Sequence, residues 1–119
     1  MSKVLSIRQP WAWLIVNGYK NIENRTWNTK YRGPILIHAG AALNKIGIEK
    51  VNDAFPHINL PSSYDLGGIV GSAEIVDVIE PGSDNESPWY EGQYGFVLRN
   101  QKVLPFEQML GKLGIFEKE

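Results

Sequence analysis

The sequence predicts an α+β domain, a small mixed β-barrel of five to six strands with two or three helices bordering a cleft. The chain of 119 residues contains 12 Gly and 7 Pro, which is more than average and indicates many turns. Most of its apolar runs are short and rich in β-branched residues, as strands are. Two segments in the first half instead carry helix signals.

The first strand is predicted at residues 4–7, where the apolar run is short. Pro10 suits the first turn of a helix, where a missing N–H costs nothing. Asn17-Gly18 is a typical helix end, because Gly tolerates the left-handed conformation. The spacing therefore predicts a short buried helix over residues 11–17.

The rest of the first half alternates between extended and helical patterns. Residues 20–27 alternate imperfectly between polar and apolar side chains, as a strand does, and residues 28–34 form a polar loop. Residues 35–39 are almost all apolar and predict a buried strand. Residues 41–55 predict a second helix, although Gly47 weakens it by about 1 kcal/mol relative to Ala.

The second half predicts only strands and loops. Residues 69–79 form the longest β-branched run, and Gly71 within it indicates a bulge or a bend. An acidic loop follows at residues 83–92. The remaining strands are expected at residues 94–100, 103–106 and 113–116, with a turn at Asn100-Gln101 between the first two.

Composition supports a single domain over residues 1–119 and excludes several classes of protein. With 43% hydrophobic and 21% charged residues, the chain can form a core and differs from disordered segments. It contains no Cys, which excludes disulfides, thiolate zinc sites and cysteine nucleophiles. His38 and His57 have no metal-ligand spacing, so we expect neither a metal nor a cofactor.

No apolar run approaches the ~20 residues that cross a bilayer. Arg8 and Gln9 interrupt the first apolar stretch, so the beginning of the chain lacks the hydrophobic region of a signal peptide. We therefore expect a cytoplasmic protein with no membrane partner.

The near-neutral net charge of −1 conceals a difference between the two halves. Residues 1–50 carry eight basic and two acidic side chains, and residues 51–119 carry four basic and eleven acidic ones. A basic half indicates an anionic partner. Alternatively, the fold interleaves the halves and their fields cancel.

Basic, carboxylate and indole side chains are concentrated between Arg8 and Arg32. Indole rings stack on nucleobases, with about 1–3 kcal/mol per base. Lys and Arg neutralise phosphate or bind base edges, and a carboxylate accepts from an exocyclic amine. This combination is typical of a site for a nucleobase or a nucleotide.

Gln9-Pro10-Trp11-Ala12 opens the predicted helix, and Gly18-Tyr19-Lys20-Asn21-Ile22-Glu23-Asn24-Arg25 follows it. Together these strings resemble the hallmark of the ASCH domain, a module of the PUA-like superfamily. The continuation Thr26-Trp27-Asn28-Thr29-Lys30-Tyr31-Arg32-Gly33 is similar to the cointegrator branch of that family. Tyr94-Gly95-Phe96 and Gly111-Lys112-Leu113-Gly114 also resemble bacterial and phage members, so the resemblance covers both ends of the domain.

The resemblance implies a β-barrel whose helix-bordered cleft takes RNA, DNA or modified nucleobases. Some ASCH proteins are reported as nucleases, and one branch is an amidohydrolase that removes acetyl from acetylcytidine with a Lys, a Thr and a Glu. Lys20 matches that Lys. Glu23 stands where that branch has its Thr, which is a departure from the amidohydrolase pattern.

We therefore predict a cleft that binds RNA, another single-stranded nucleic acid or a nucleotide-derived small molecule. Phosphate or base edges would be bound by Arg8, Lys20, Arg25 and Arg32. Trp27 would stack on a base, and Glu23 would orient the cations. The predicted binding residues are Arg8, Gln9, Trp11, Lys20, Arg25, Trp27, Thr29 and Arg32.

Two other functions remain open on the sequence alone. A metal-independent hydrolase of RNA or of a modified nucleoside would use Lys20 and Glu23 as its catalytic pair. A protein-interaction module would use the Trp and Tyr side chains as anchors. No Ser/His/Asp arrangement is readable, so Ser6 is not predicted to be a nucleophile and His38 is expected to be hydrogen-bonded in the core.

Overall fold

Six strands and two helices make up the computed structural model, which describes residues 2–119. The helices are α1 (Trp11–Val16) and α2 (Lys45–Ala54). The strands are β1 (Ser2–Gln9), β2 (Ile22–Arg25), β3 (Gly33–Leu43), β4 (Gly68–Ile79), β5 (Tyr94–Gln108) and β6 (Ile115–Lys118). The predicted α+β class and the predicted number of strands are confirmed.

All six strands belong to one mixed sheet with the order β2-β5-β4-β3-β1-β6. β1 and β3 pair in parallel, and the other neighbouring strands pair antiparallel. A parallel pair needs a crossover connection, which here contains α1 and β2. The arrangement is the barrel-like PUA-like fold, but the sheet is not closed, and β2 and β6 are its edges.

The helix α1 packs on one face of this sheet and thereby buries its apolar side chains. Leu14 and Ile15 are fully inaccessible to solvent. The Gln9 side chain accepts from Trp13 N at 2.8 Å, which satisfies one of the free N–H groups at the helix start. Gly18 follows the helix with φ 83°, as expected for a C-terminal cap.

Two groups of buried side chains stabilise this arrangement. The main core lies between α1 and the sheet and includes Ile37, Ile75 and Phe96, all fully buried. A second cluster joins Val51 of α2 to Trp89 of the acidic loop. The acidic loop is therefore fixed to the domain by an apolar anchor.

Gly71 marks the bend that the sequence predicted in the long strand. The pairing register of β4 and β5 shifts between Ile69 and Gly71. A Cβ atom at Gly71 would lie 2.2 Å from the carbonyl oxygen of Lys102 and 2.4 Å from Val16 Cγ1. The missing side chain therefore allows both β5 and α1 to approach β4 closely.

The predicted starts of the second helix and of the last strand were wrong. The second helix begins at Lys45, not at residue 41, because β3 continues to Leu43, which pairs with Gln9. The Asn44 side chain then accepts from Gly47 N at 2.8 Å, as a helix N-cap does. The last strand lies two residues later than expected, at Ile115–Lys118.

The turn predicted at Asn100-Gln101 is instead a bulge inside one long strand, β5. Asn100 has φ 54°, and β5 pairs with β4 on both sides of it. The bulge directs the Gln101 side chain to the carbonyl oxygens of Ile15, at 3.0 Å, and Lys20, at 2.7 Å. Gln101 therefore connects β5 to the end of α1, and the Asn100 side chain donates to Glu74 of β4 at 3.2 Å.

Within residues 2–119, neither helix combines the length and the apolar character that crossing a membrane requires.

Candidate functional site

A cleft of ≈ 1230 Å³, termed the main cleft, opens where β1, β2, the end of β3 and the segment before β6 meet. Its size exceeds the usual range of small-molecule pockets, about 300–1000 Å³, so it has room for a nucleotide. Its lining residues are Ser6, Ile7, Arg8, Trp11, Glu23, Asn24, Arg25, Thr26, Trp27, Gly40, Ala41, Ala42, Gln93, Lys112, Leu113 and Gly114.

Glu23 lies in the wall of the main cleft and is 8% exposed. Its Oε1 atom is 3.2 Å from Lys20 Nζ, and its Oε2 atom is 3.0 Å from both Nε and Nη2 of Arg25. One carboxylate is thus shared by two cations, which leaves this group of three with a net charge of +1. A buried carboxylate in this position orients the cations on either side of it.

Arg25 is fixed by contacts from three directions. Besides the Glu23 carboxylate, its Nη2 atom donates to the carbonyl oxygen of Ser6 at 2.7 Å. Its guanidinium carbon lies 5.8 Å from the centroid of the Trp27 ring, within the range of a cation–π contact. The guanidinium is held beside an indole ring, and both line the cleft.

The Trp27 ring packs edge-on against the buried Phe96, with 5.3 Å between the ring centroids. Trp27 itself is only partly buried and lines the main cleft. Because one edge is held by the core, the ring is a rigid surface at low entropic cost, which suits the stacking of a planar ligand.

Arg8 and Lys112 are exposed cations at the rim of the main cleft. Among residues 2–119, no carboxylate forms a salt bridge with either of them. Glu23 is the acidic residue in the lining, and it is already shared by two cations. The cleft therefore presents uncompensated positive charge to a ligand.

Comparison with known proteins places this chain in a family. The family model of the ASCH domain matches residues 5–115. The chain belongs to the ASCH domain family. That family is generally linked to RNA binding and to interaction with nucleic acids.

Two relatives carry the name activating signal cointegrator 1. This ASCH domain is 31% identical over 83 residues to the protein of Homo sapiens and 30% identical over 81 residues to that of Mus musculus. Each alignment covers 63% of this chain and 14% of the relative. The chain therefore matches only a small part of the length of these two proteins.

The ASCH domain brings five of the predicted site residues into the main cleft. Three of them come from the family motif and its continuation, and two come from the end of β1 and the start of α1. They are Arg8, Trp11, Glu23, Arg25 and Trp27.

Lys20 lies behind the cleft and not in its lining. The residue is 3% exposed, and its Nζ atom donates to the carbonyl oxygen of Ile22 and to Glu23. Because β2 begins only at Ile22, Lys20 does not follow the alternation of the strand, and its side chain reaches Glu23 without a bulge in β2. The structure places Lys20 as a support of Glu23.

Gln9 is also buried, at 2% exposed. Its side chain accepts from Trp13 N at 2.8 Å and donates to the carbonyl oxygen of Asp65 at 3.0 Å. The amide therefore joins the start of α1 to the loop before β4. It is not in the lining of the main cleft.

Thr29 and Arg32 are the remaining predicted residues that the structure leaves outside the cleft. Arg32 Nη1 donates to the carbonyl oxygens of Thr29 and Tyr31, each at 3.0 Å. Thr29 Oγ1 accepts from Tyr31 N at 3.1 Å. These side chains stabilise their own loop.

Several lining residues were missed because they come from distant parts of the chain. Ala41 and Ala42 lie in the segment predicted to be helical and Gly40 in no predicted element, yet all three belong to β3. The string Gly111-Lys112-Leu113-Gly114 was recognised as part of the family resemblance, and that resemblance was the signal by which Lys112 could have been found.

In the part of the chain from residue 2 to residue 119, no three His, Asp or Glu side chains are grouped as a metal site would need.

Proposed function

We propose that this ASCH domain binds single-stranded RNA or a nucleotide-derived ligand in the main cleft. The observation that carries the proposal is the convergence of Arg8, Arg25 and Trp27 on one concavity. These are the side chains that bind phosphate and stack on bases. The link of the family to RNA binding supports the same conclusion.

The charged side chains at the rim and those deeper in the cleft contact different parts of the ligand. Arg8 and Lys112 lie at the rim and are exposed, so they meet the phosphates of an incoming strand. Arg25 lies deeper beside Trp27 and is oriented by Glu23. A base that stacks on Trp27 then has the fixed guanidinium of Arg25 and the carboxylate of Glu23 at its edge. The guanidinium can donate hydrogen bonds to the base, and the carboxylate can accept them from it.

The surroundings of Lys20 favour binding over hydrolysis by Lys20 and Glu23. A nucleophilic or general-base amine must reach the substrate. The amine of Lys20 is buried and donates to two oxygen atoms of the protein. Its contacts fit the role of a countercharge for Glu23.

The proposal is tested by fluorescence anisotropy of a labelled oligoribonucleotide titrated with the protein at several salt concentrations. Arg8→Ala is expected to weaken binding roughly fivefold at low salt, the equivalent of about 1 kcal/mol for one exposed ionic contact. It should also reduce the slope of log K against log salt by about 0.7, because one phosphate contact is lost.

Arg32→Ala is the matched control, since it removes an equally charged and exposed side chain that lies outside the cleft. It is expected to leave the affinity within twofold of the wild type. Equal losses for both variants would show that overall charge and not the cleft determines binding. No measurable binding of the folded wild type at low salt would contradict the proposal itself.

A further inference from the structure

Ser6 and His38 lie opposite each other on the parallel strands β1 and β3. Ser6 Oγ is 2.8 Å from His38 Nδ1. Ser6 lines the main cleft and also a second cleft of ≈ 740 Å³, to which His38, Met109 and Leu110 contribute. Ser6 therefore contributes to the walls of both clefts.

The contacts of His38 determine which of its nitrogen atoms carries the proton. Nε2 is 2.6 Å from the carbonyl oxygen of Met109, which can only accept, so Nε2 must be the donor. In the neutral ring, Nδ1 is then unprotonated and accepts from the hydroxyl group of Ser6. The ring is 2% exposed and packs edge-on against Phe116, which fixes its orientation.

This is the geometry of an activated nucleophile. A hydroxyl group donates to an unprotonated imidazole nitrogen, and a third group orients the imidazole from the other side. Here the carbonyl oxygen of Met109 takes the orienting position. Arg25 Nη2 donates to the backbone oxygen of Ser6 at 2.7 Å, which holds the nucleophile in place.

Gly111 lies directly against this pair. A Cβ atom at Gly111 would lie 2.8 Å from His38 Cε1 and 3.1 Å from Ser6 Oγ. The backbone thus passes directly against the hydroxyl and imidazole groups, with no side chain between them. Any side chain larger than that of glycine at position 111 would press on both the hydroxyl group of Ser6 and the imidazole of His38.

We propose that Ser6, with His38 as its general base, is the nucleophile of an acyl-transfer site that takes carboxylic esters with a small apolar acyl group. Ala41, Met109 and Leu110 of the second cleft provide apolar surface for the acyl group. Leu110 is 89% exposed, so this surface is available. This proposal does not rest on RNA binding, although Ser6 also lines the main cleft.

The reaction is a two-step ester hydrolysis. Ser6 Oγ forms a bond to the acyl carbon while His38 Nδ1 takes the hydroxyl proton, and the bond from that carbon to the alcohol oxygen breaks as the proton passes to the leaving oxygen. Water then attacks the acyl-Ser6 ester, and its proton returns through His38 to Ser6 Oγ. The products are one carboxylic acid and one alcohol, and the protein is restored.

The test uses p-nitrophenyl butyrate and a fluorophosphonate reagent with the whole chain. The wild type is expected to release a burst of p-nitrophenol close to one equivalent per chain. Peptide mass spectrometry should locate one butyryl or phosphonyl group on Ser6. Ser6→Ala should abolish both, and His38→Asn should slow acylation by about 10²–10⁴-fold. Ser63→Ala, in an exposed loop, is the control and should retain the full burst.

Gly111→Ala is the second variant, because His38 is buried and its replacement can unfold the protein. It should reduce acylation at least tenfold while circular dichroism shows a native sheet. The proposal is overturned if the folded wild type is labelled at Ser6 by neither reagent. It is equally overturned if Ser6→Ala retains the wild-type rate, which would place the reaction on other side chains.

Discussion

Residues 23–27 and residues 28–33 are adjacent in the chain and similar in chemistry, yet only the first segment reaches the main cleft. Each contains an aromatic ring, Trp27 or Tyr31, and each contains basic and hydroxyl side chains. The first segment belongs largely to β2, whose residues pair with β5. The second is largely a loop whose polar side chains bond to its own backbone.

The difference shows that composition alone does not make a site. Pairing of Glu23 with Phe96 and of Arg25 with Tyr94 fixes where the β2 side chains point. Arg32, by contrast, donates to the carbonyl oxygens of Thr29 and Tyr31. A cation becomes available to a ligand only where the fold directs it into a concavity.

The largest expected effect is that of Glu23→Ala. This change leaves the ammonium group of Lys20 buried without its carboxylate, and such a change typically costs about 3–5 kcal/mol. Urea unfolding followed by circular dichroism measures the free energy of unfolding. In the neighbouring segment, Arg32→Ala is expected to change it by no more than about 0.5 kcal/mol.

The double variant Lys20→Met/Glu23→Ala separates the charge effect from lost packing. Removing both charges should recover part of the stability that Glu23→Ala loses, because no unpaired buried charge remains. A Glu23→Ala variant within 1 kcal/mol of the wild type would contradict the interpretation of Glu23 as a buried countercharge.

A smaller effect is expected from Trp27→Ala, measured as the affinity for the labelled oligoribonucleotide. Loss of one stacking surface should weaken binding by about 1–3 kcal/mol. Tyr31→Leu removes the aromatic ring of the neighbouring segment and should leave the affinity within twofold. If the two variants weaken binding equally, Trp27 is not the surface on which the base stacks.

The smallest effect is expected for the exposed ion pair of Lys3 and Glu117. This pair serves as a reference for the buried ion pair of Lys20 and Glu23. Lys3 Nζ donates to Glu117 Oε1 at 2.6 Å, and this bond, with the charge of Lys3, lowers the pKa of Glu117 below its usual value of 4.5. Since the folded pKa is the lower one, the pair stabilises the protein above the unfolded pKa, and this stability is lost as pH falls through the folded pKa.

Glu117→Gln should therefore lower the urea midpoint slightly at pH 7, and the difference from the wild type should disappear in acid. Urea titrations at pH 7, 5 and 3 measure this difference in midpoint between the variant and the wild type. A difference that stays constant from pH 7 to pH 3 would show that the charge of Glu117 is not its source.

Local signals predicted the elements that are defined by short stretches of chain. Pro10 and Asn17-Gly18 bracket α1 to within one residue, and the β-branched run of residues 69–79 corresponds to β4. The bend at Gly71 was also predictable, because glycine within a strand indicates a close backbone approach. In these cases the local preference and the tertiary contacts agree.

Predictions failed where a distant strand overrides the local preference. Pairing of Leu43 with Gln9 extends β3 into the region predicted to be helical. Pairing of β5 with β4 on both sides of Asn100 converts an expected turn into a bulge. In both cases the deciding hydrogen bonds join residues far apart in the chain, and a local pattern contains no information about them.

By itself, the sequence determined the α+β class, the family motif and the cluster of charges and indoles that forms part of the cleft wall. Only the tertiary structure decided that Lys20 is buried behind Glu23 and that Arg32 bonds to its own loop. It also decided that Ser6 meets His38, because the parallel register of β1 and β3 places side chains 32 positions apart within 2.8 Å. Residue types are fixed by the chain, but their distances and burial are fixed by strand pairing.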